Sequence, residues 1–121
     1  MEFINLTPHI INLNVGTEFP QSKLIAEITQ SYTPFKEGIS KISFGGIVVG
    51  KQDPKTKKLI EIQPFPKEKE GVKYIVSLPT LMAAKQLGWT RTDIVAPATR
   101  HPETKKNEKG WILGVPGFLT L

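Results

Sequence analysis

The densest set of hydrogen-bonding side chains lies near the start of the chain, in the segment Asn5-Leu6-Thr7-Pro8-His9. Asn5, Thr7 and His9 carry polar groups of different geometry beside a proline that fixes the backbone. Such a set can hold a polar ligand, or it can support a turn through side-chain hydrogen bonds. The sequence leaves both interpretations open.

Arginine is scarce in this chain, which contains only Arg91 and Arg100, so a phosphate-bearing ligand has few strong partners. Arg91 and Asp93 are two residues apart, which places their side chains on one side of an extended segment. They form either a surface ion pair or a site in which Arg91 binds a phosphate and Asp93 orients Arg91 or accepts from a ribose hydroxyl. Two aromatic surfaces for a base and one further hydroxyl complete the candidate set: Tyr74, Trp89 and Ser77.

The residue patterns that mark common enzymes are missing. The chain has no phosphate-binding glycine loop, no nucleophile elbow and no zinc-protease motif. Without cysteine it cannot form disulfides, zinc–thiolate sites or iron–sulfur clusters. His9, His101 and Asp93 are too scattered in sequence to predict a metal site. We therefore predict no catalytic residue, no metal and no cofactor.

Alternating apolar and polar residues between prolines and glycines predict a mainly β, α+β fold in a single domain over residues 1–121. We expect an antiparallel sheet or open barrel of about six to eight short strands. The predicted strands are 3–5, 9–13, 22–30, 58–62, 74–76, 93–95 and 111–115, with two more around Gly45-Gly46, where either a hairpin turn or a bulge fits.

One helix is predicted near residues 79–88, because Pro79 suits a first helical position and Gly88 a left-handed stop. Its predicted apolar face contains Leu81, Ala84 and Leu87, with Met82 beside them.

The formal charge of +5 comes mostly from lysine, which confers solubility and at most weak, non-specific binding of nucleic acid. We see no secretory signal and no apolar run long enough to span a bilayer, so a cytoplasmic location is expected. Exposed strand edges and the apolar segment Pro64-Phe65-Pro66 predict a homo-oligomer.

Several blocks of the sequence resemble small phage and prophage proteins that open with an N-L-T-P-H motif. The blocks are NLTPHII (5–11), FPQS (19–22), YIVSL (74–78), RTDIVAP (91–97) and GWILGVPGF (110–118). The chain departs from that pattern at Lys23 and Glu27. The resemblance implies a protein of the host cytoplasm that counters antiviral defence by sequestering a nucleotide-derived signal.

Three functions follow as hypotheses. The first is a homo-oligomeric binding protein in which Arg91 and Arg100 bind the phosphates of a small nucleotide ligand, and Asn5, Thr7, His9, Ser77 and Asp93 read its polar edges. The second is a nucleic-acid-binding or virion-associated module that uses the lysine-rich stretch 51–73. The third is a nucleotide-degrading enzyme with His9 or His101 as general base.

Overall fold

The computed structural model of this chain describes residues 1–34 and 40–121, with side chains described for residues 1–29 and 46–121. These residues form one helix, α1 (Leu78–Gln86), and a set of mostly short strands. The strands are β1 (Glu2–Asn5), β2 (Ile11–Asn12), β3 (Glu18–Phe19), β4 (Ile25–Pro34), β5 (Ser40–Gln52), β6 (Leu59–Pro64), β7 (Val72–Ile75), β8 (Ile94–Pro97), β9 (Lys105–Lys106), β10 (Ile112–Gly114) and β11 (Phe118–Thr120).

A four-stranded mixed sheet in the order β1-β7-β8-β11 forms the centre of the fold. β7 lies between two parallel neighbours, with Tyr74 opposite Ile4 of β1 and Ile94 of β8. Parallel strands cannot be joined by a tight turn, so the chain must cross over, and α1 is the crossover between β7 and β8. β11 pairs antiparallel with the outer side of β8.

A second sheet, β4-β5-β6, is antiparallel, and its two long strands pair along the whole of β4. The register passes from Thr29 opposite Gly46 to Gln30 opposite Phe44, so Gly45 is an extra residue that forms a β-bulge. Gly46 has φ 147°, in the region that favours glycine. Of the hairpin turn and the bulge that the sequence left open at this glycine pair, the structure has the bulge. The two strands expected around the pair are one continuous strand, β5.

Local signals at both ends of α1 fix where the helix begins and stops. Ser77 is the N-cap, and its side chain accepts a hydrogen bond from Thr80 N–H. Gly88 follows the helix with φ 81°, which confirms the predicted left-handed stop. The helix occupies Leu78–Gln86, slightly earlier than the predicted 79–88, because the cap at Ser77 allows helical geometry to start before Pro79.

The helix buries a face different in detail from the predicted one. Leu81 and Ala84 are buried as expected, and Thr80 and Ala83 are buried with them. Met82 is half exposed, so its predicted place on the apolar face is wrong. The core between α1 and the sheets is built mainly from these buried apolar residues: Leu6, Ala26, Ile47, Val49, Val72, Tyr74, Val76, Leu81, Ala84, Ile94 and Ala96.

The mainly β, α+β class with one helix is confirmed for the described residues. Their strands outnumber the predicted six to eight because β3, β9 and β11, of two or three residues each, have too little alternation to be recognised. The central sheet also contains two parallel pairs where antiparallel pairing was expected. Within residues 1–34 and 40–121 the strands form separate sheets that do not close into a barrel. No helix in the described residues is both long and apolar enough to cross a membrane.

Candidate functional site

Asn5 organises the N-terminal bend and has no hydrogen-bonding capacity left for a ligand. It is 1% exposed. Its Nδ2 donates to the carbonyl oxygens of His9 at 2.7 Å and Phe19 at 3.1 Å, and its Oδ1 accepts from Thr7 N–H at 3.0 Å. With two protons donated and an oxygen already facing Thr7, the amide is fully used. Asn5 therefore acts as the internal support of this bend.

Thr7 belongs to the same internal network. Its Oγ1 lies 2.6 Å from Asn5 Oδ1 and 3.0 Å from the His9 carbonyl oxygen, so its single proton can donate to either. The His9 side chain, in contrast, has no hydrogen-bond partner among the described residues, and this residue is exposed. Of the three polar residues predicted at the bend, only His9 offers a free side-chain group.

The bend is held against the start of β4 by the chain that precedes that strand. Ser22 Oγ donates to the Asn5 carbonyl oxygen at 2.7 Å, and Gln21 Nε2 donates to the Pro8 carbonyl oxygen. The segment 19–22 thus anchors the bend at residues 5–9.

Arg91 lies in a different part of the molecule and is occupied by partners from its own chain. Its Nε and Nη2 donate to the two carboxylate oxygens of Asp93 at 2.9 and 2.6 Å, and its Nη1 donates to the Pro66 carbonyl oxygen at 2.7 Å. The side chains of Arg91 and Asp93 are only 17% and 11% exposed. Hydrogen bonding to Asp93 is the main cause that raises the pKa of Arg91 above its usual value.

Aromatic rings enclose this arginine. The guanidinium carbon of Arg91 lies 5.2 Å from the centre of the Phe65 ring and 5.9 Å from that of Trp89, within cation–π range. Phe65 also contacts Tyr74 edge to face, with centroids 5.6 Å apart. We call Phe65, Tyr74, Trp89, Arg91 and Asp93 the Arg91 cluster. The Pro-Phe-Pro segment thus turns its aromatic ring inward, contrary to the exposed surface expected from sequence.

Ser77 and Arg100 occupy two further places. Ser77 Oγ caps α1 and lies 2.8 Å from Thr80 Oγ1, so most of its capacity serves the helix. Arg100 is exposed in the turn after β8, where His101 Nδ1 accepts from Glu103 N–H at 3.1 Å. The structure therefore does not bring the predicted residues into one site: it divides them among the N-terminal bend, the Arg91 cluster, the start of α1 and this turn.

A groove of about 880 Å³ is formed where the N-terminal bend, β4, the start of α1 and the β10 segment meet. Of the predicted residues, Thr7, His9 and Ser77 line it. Apolar side chains dominate the lining, and its titratable side chains are His9 and Glu27. We call this surface the Trp111 groove, after its most exposed aromatic residue.

Trp111 is 70% exposed and is followed by Ile112 and Leu113, which are also exposed. An indole ring is costly to leave in water, so an exposed tryptophan that lines a groove is informative in a way that an isolated surface leucine is not. The sequence prediction placed Trp111 in a strand and gave it no role. Its available signal was the succession of Lys105-Lys106, Lys109 and Trp111, which interleaves basic and aromatic residues in one short segment.

The segment that carries Trp111 is anchored to the body of the fold. Val115 N–H donates to the Asn12 carbonyl oxygen at 3.0 Å, and Asn14 N–H donates to the Val115 carbonyl oxygen at 2.8 Å. A Cβ on Gly114 would lie 2.8 Å from Asn14 Oδ1, so a larger residue there would displace the Asn14 side chain. The groove wall is thus held at its base while the indole stays open.

The arrangement in the groove suits binding. Hydrolysis by acid and base would need a histidine held by a partner, and His9 has none among the described side chains. Among those same residues, no group of histidine, aspartate and glutamate side chains is arranged to hold a metal ion. What the groove offers is apolar surface, one open indole and hydroxyl groups at its margin.

Comparisons with protein-family models, with curated proteins and with solved structures find no match for this chain. The site is therefore interpreted from its own geometry.

Proposed function

We propose that this protein is a binding protein that holds a small nucleotide-derived ligand in the Trp111 groove. The observation that carries the proposal is an indole 70% exposed at a groove of about 880 Å³, a volume within the usual range for small-molecule sites. A base stacked on Trp111 would remove one face of the indole and the facing side of the base from water. Base–aromatic stacking of this kind contributes roughly 1–3 kcal/mol.

Cations near the groove supply charge for a phosphate. Arg100 directly follows Thr99, which lines the groove, and no partner of the Arg100 side chain is found in the described part of the chain. Lys105 and Lys106 form β9, the partner strand of β10, beside Trp111. The groove lining itself contains no arginine or lysine, so the phosphate would lie at its margin and the base inside.

The role of such binding is the one that the resemblance to phage proteins implies: sequestration of a nucleotide signal in the host cytoplasm by a homo-oligomer. The sequestering role requires binding without turnover. That separates it from the nucleotide-degrading enzyme, which would release an altered ligand.

A panel of cyclic mononucleotides, cyclic dinucleotides and ADP-ribose derivatives tests the proposal through thermal shift and titration calorimetry, followed by recovery of the ligand after heating. We expect at least one compound to raise the melting temperature and to be recovered unchanged. A recovered ligand that is chemically altered would indicate the enzyme. Retardation of single-stranded or duplex DNA without any response to the panel would indicate the nucleic-acid module.

Variants then locate the site. Trp111→Ala is expected to weaken binding roughly 10-fold to 100-fold, the loss of one stacked base. Arg100→Ala is expected to weaken it about tenfold, with partial recovery in Arg100→Lys, since an ammonium makes no bidentate contact. Lys55→Ala removes a positive charge from the exposed turn before β6 and is the matched control. Unchanged affinity in Trp111→Ala would refute the placement in this groove.

A further inference from the structure

The two outer strands of the β4-β5-β6 sheet differ in the features that protect a strand edge from pairing with another chain. β6 carries several features that discourage pairing with another chain. Its partner β5 has a register irregularity between Val49 and Lys51, Glu61 has φ 52° and forms an ion pair with Lys51 at 3.0 Å, and the strand ends at Pro64. Bulges, charges and proline are the usual protection of an edge.

β4 shares the bulge with β6, since β5 is also bulged opposite Thr29 and Gln30, but β4 has little other protection. It extends over ten residues, IAEITQSYTP, in which Glu27 is the single charged residue and the single proline is the last. Long, weakly charged edge strands are templates for pairing with a further strand. In the described residues, β4 pairs with β5 on one side and with no strand on the other.

The direction of the backbone groups on β4 follows from one bond. Ala26 N–H donates to the Leu6 carbonyl oxygen at 2.9 Å, away from β5. Because N–H and C=O directions alternate along a strand, Ile28, Gln30 and Tyr32 also direct theirs away from β5. This row of outward-facing backbone groups ends at Ala26, whose N–H is already bonded to Leu6, and at Pro34, which has no N–H.

We propose that two copies of this chain pair through β4, antiparallel and about a two-fold axis at Gln30, to form one continuous six-stranded sheet. Gln30 is the midpoint of this row, so Ile28 of one copy faces Tyr32 of the other. The two Ile28–Tyr32 pairs and the Gln30–Gln30 pair at the axis each exchange two hydrogen bonds, which gives roughly six across the interface. A second copy fits the edge because the register is self-complementary and opposes Glu27 to Thr33, with no like charges facing each other.

The pairing also bears on the Trp111 groove. Residues 25–28 of β4 form one wall of that groove, so the partner strand would begin beside the wall at Ile28 and extend it. The interface itself does not depend on any ligand, and its test is made without one.

Light scattering and native mass spectrometry of the full chain test the pairing, with a charge swap at the axis. We expect a mass of twice 13.5 kDa for the unaltered protein at about 100 μM. Gln30→Lys and Gln30→Glu each place like charges at the axis and should weaken their own homodimers roughly tenfold or more. Mixing the two variants should restore a dimer that contains one copy of each.

Ile62→Lys adds a charge to the other edge strand and is the matched control, expected to leave the dimer intact. Circular dichroism confirms that each variant is folded. A mass of 13.5 kDa for the unaltered protein would overturn the proposal and leave the edge open to an extended peptide of another protein. A dimer that is insensitive to both Gln30 changes, or a mixture that forms no mixed dimer, would equally overturn it, since the copies would then meet elsewhere.

Discussion

The Arg91 cluster and the Trp111 groove each contain a tryptophan, and the two tryptophans differ in their exposure to solvent. In the cluster, Trp89 packs against Phe65 with ring centres 5.5 Å apart. The Arg91 guanidinium donates to the Asp93 carboxylate and to the Pro66 carbonyl oxygen. In the groove, Trp111 is exposed beside apolar surface. The comparison shows that an arginine and an aromatic residue near one another indicate a ligand site only where their contacts remain unused.

The same contrast holds at the N-terminal bend. Asn5 and Thr7 saturate each other and the backbone, whereas His9 contributes its carbonyl oxygen to the network and leaves its imidazole in the groove. The polar residues of this bend therefore divide into those that shape the groove and the one that can touch its contents.

The largest effect is expected from Asn5→Ala, because Asn5 is the internal support of the N-terminal bend. The change removes one donor from each of the His9 and Phe19 carbonyl oxygens and removes the acceptor of Thr7 N–H, so the unfolding free energy should fall by about 3 kcal/mol. Urea unfolding measures it. Asn12→Ala, on an exposed residue of β2, is the control and should cost less than about 0.5 kcal/mol. A loss below about 1 kcal/mol in Asn5→Ala would mean that water replaces the amide.

The next effect concerns the Arg91 cluster. Arg91→Ala and Asp93→Ala should each cost roughly 2–3 kcal/mol, because each leaves a largely buried charge without its partner. The double variant should cost clearly less than the sum of the two, with a coupling of about 1–2 kcal/mol. Denaturant unfolding of the four proteins gives the cycle.

Ligand binding should be unchanged in Arg91→Ala at a temperature where that variant is folded. A strong loss of affinity there would restore the phosphate-binding role predicted for Arg91 from sequence and would contradict the separation of the two regions.

The smallest effect on stability is expected for Trp111, one of the two tryptophans of the chain. Trp111→Phe should change the unfolding free energy by less than about 0.5 kcal/mol, as surface changes usually do. It should also remove most of the emission that acrylamide quenches. Trp89→Phe is the matched variant and should leave a strongly quenched protein. Equal quenching in the two variants would show that Trp111 is covered in solution.

Much of the fold could be predicted because it depends on local chemistry. Gly88 stops the helix through its positive φ, and the alternation around Tyr74 marks a buried strand. The strands β3, β9 and β11 escaped prediction because two or three residues carry no period, and they exist only where a partner strand pairs with them. The parallel pairing of β1 with β7 joins residues about seventy positions apart, which no local pattern encodes.

The candidate site was less predictable for a related reason. The sequence by itself determined which chemistry was available: two arginines, two tryptophans, two histidines and no cysteine. Only the tertiary structure decided which groups stay free. Asp93 uses the fork of Arg91, Thr7 uses the amide of Asn5, and Thr80 uses the hydroxyl of Ser77, whereas the anchoring of Gly114 beside Asn14 leaves Trp111 in solvent. A hydrogen-bonding group can contact a ligand only if the fold has not already satisfied it, and satisfaction depends on three-dimensional neighbours.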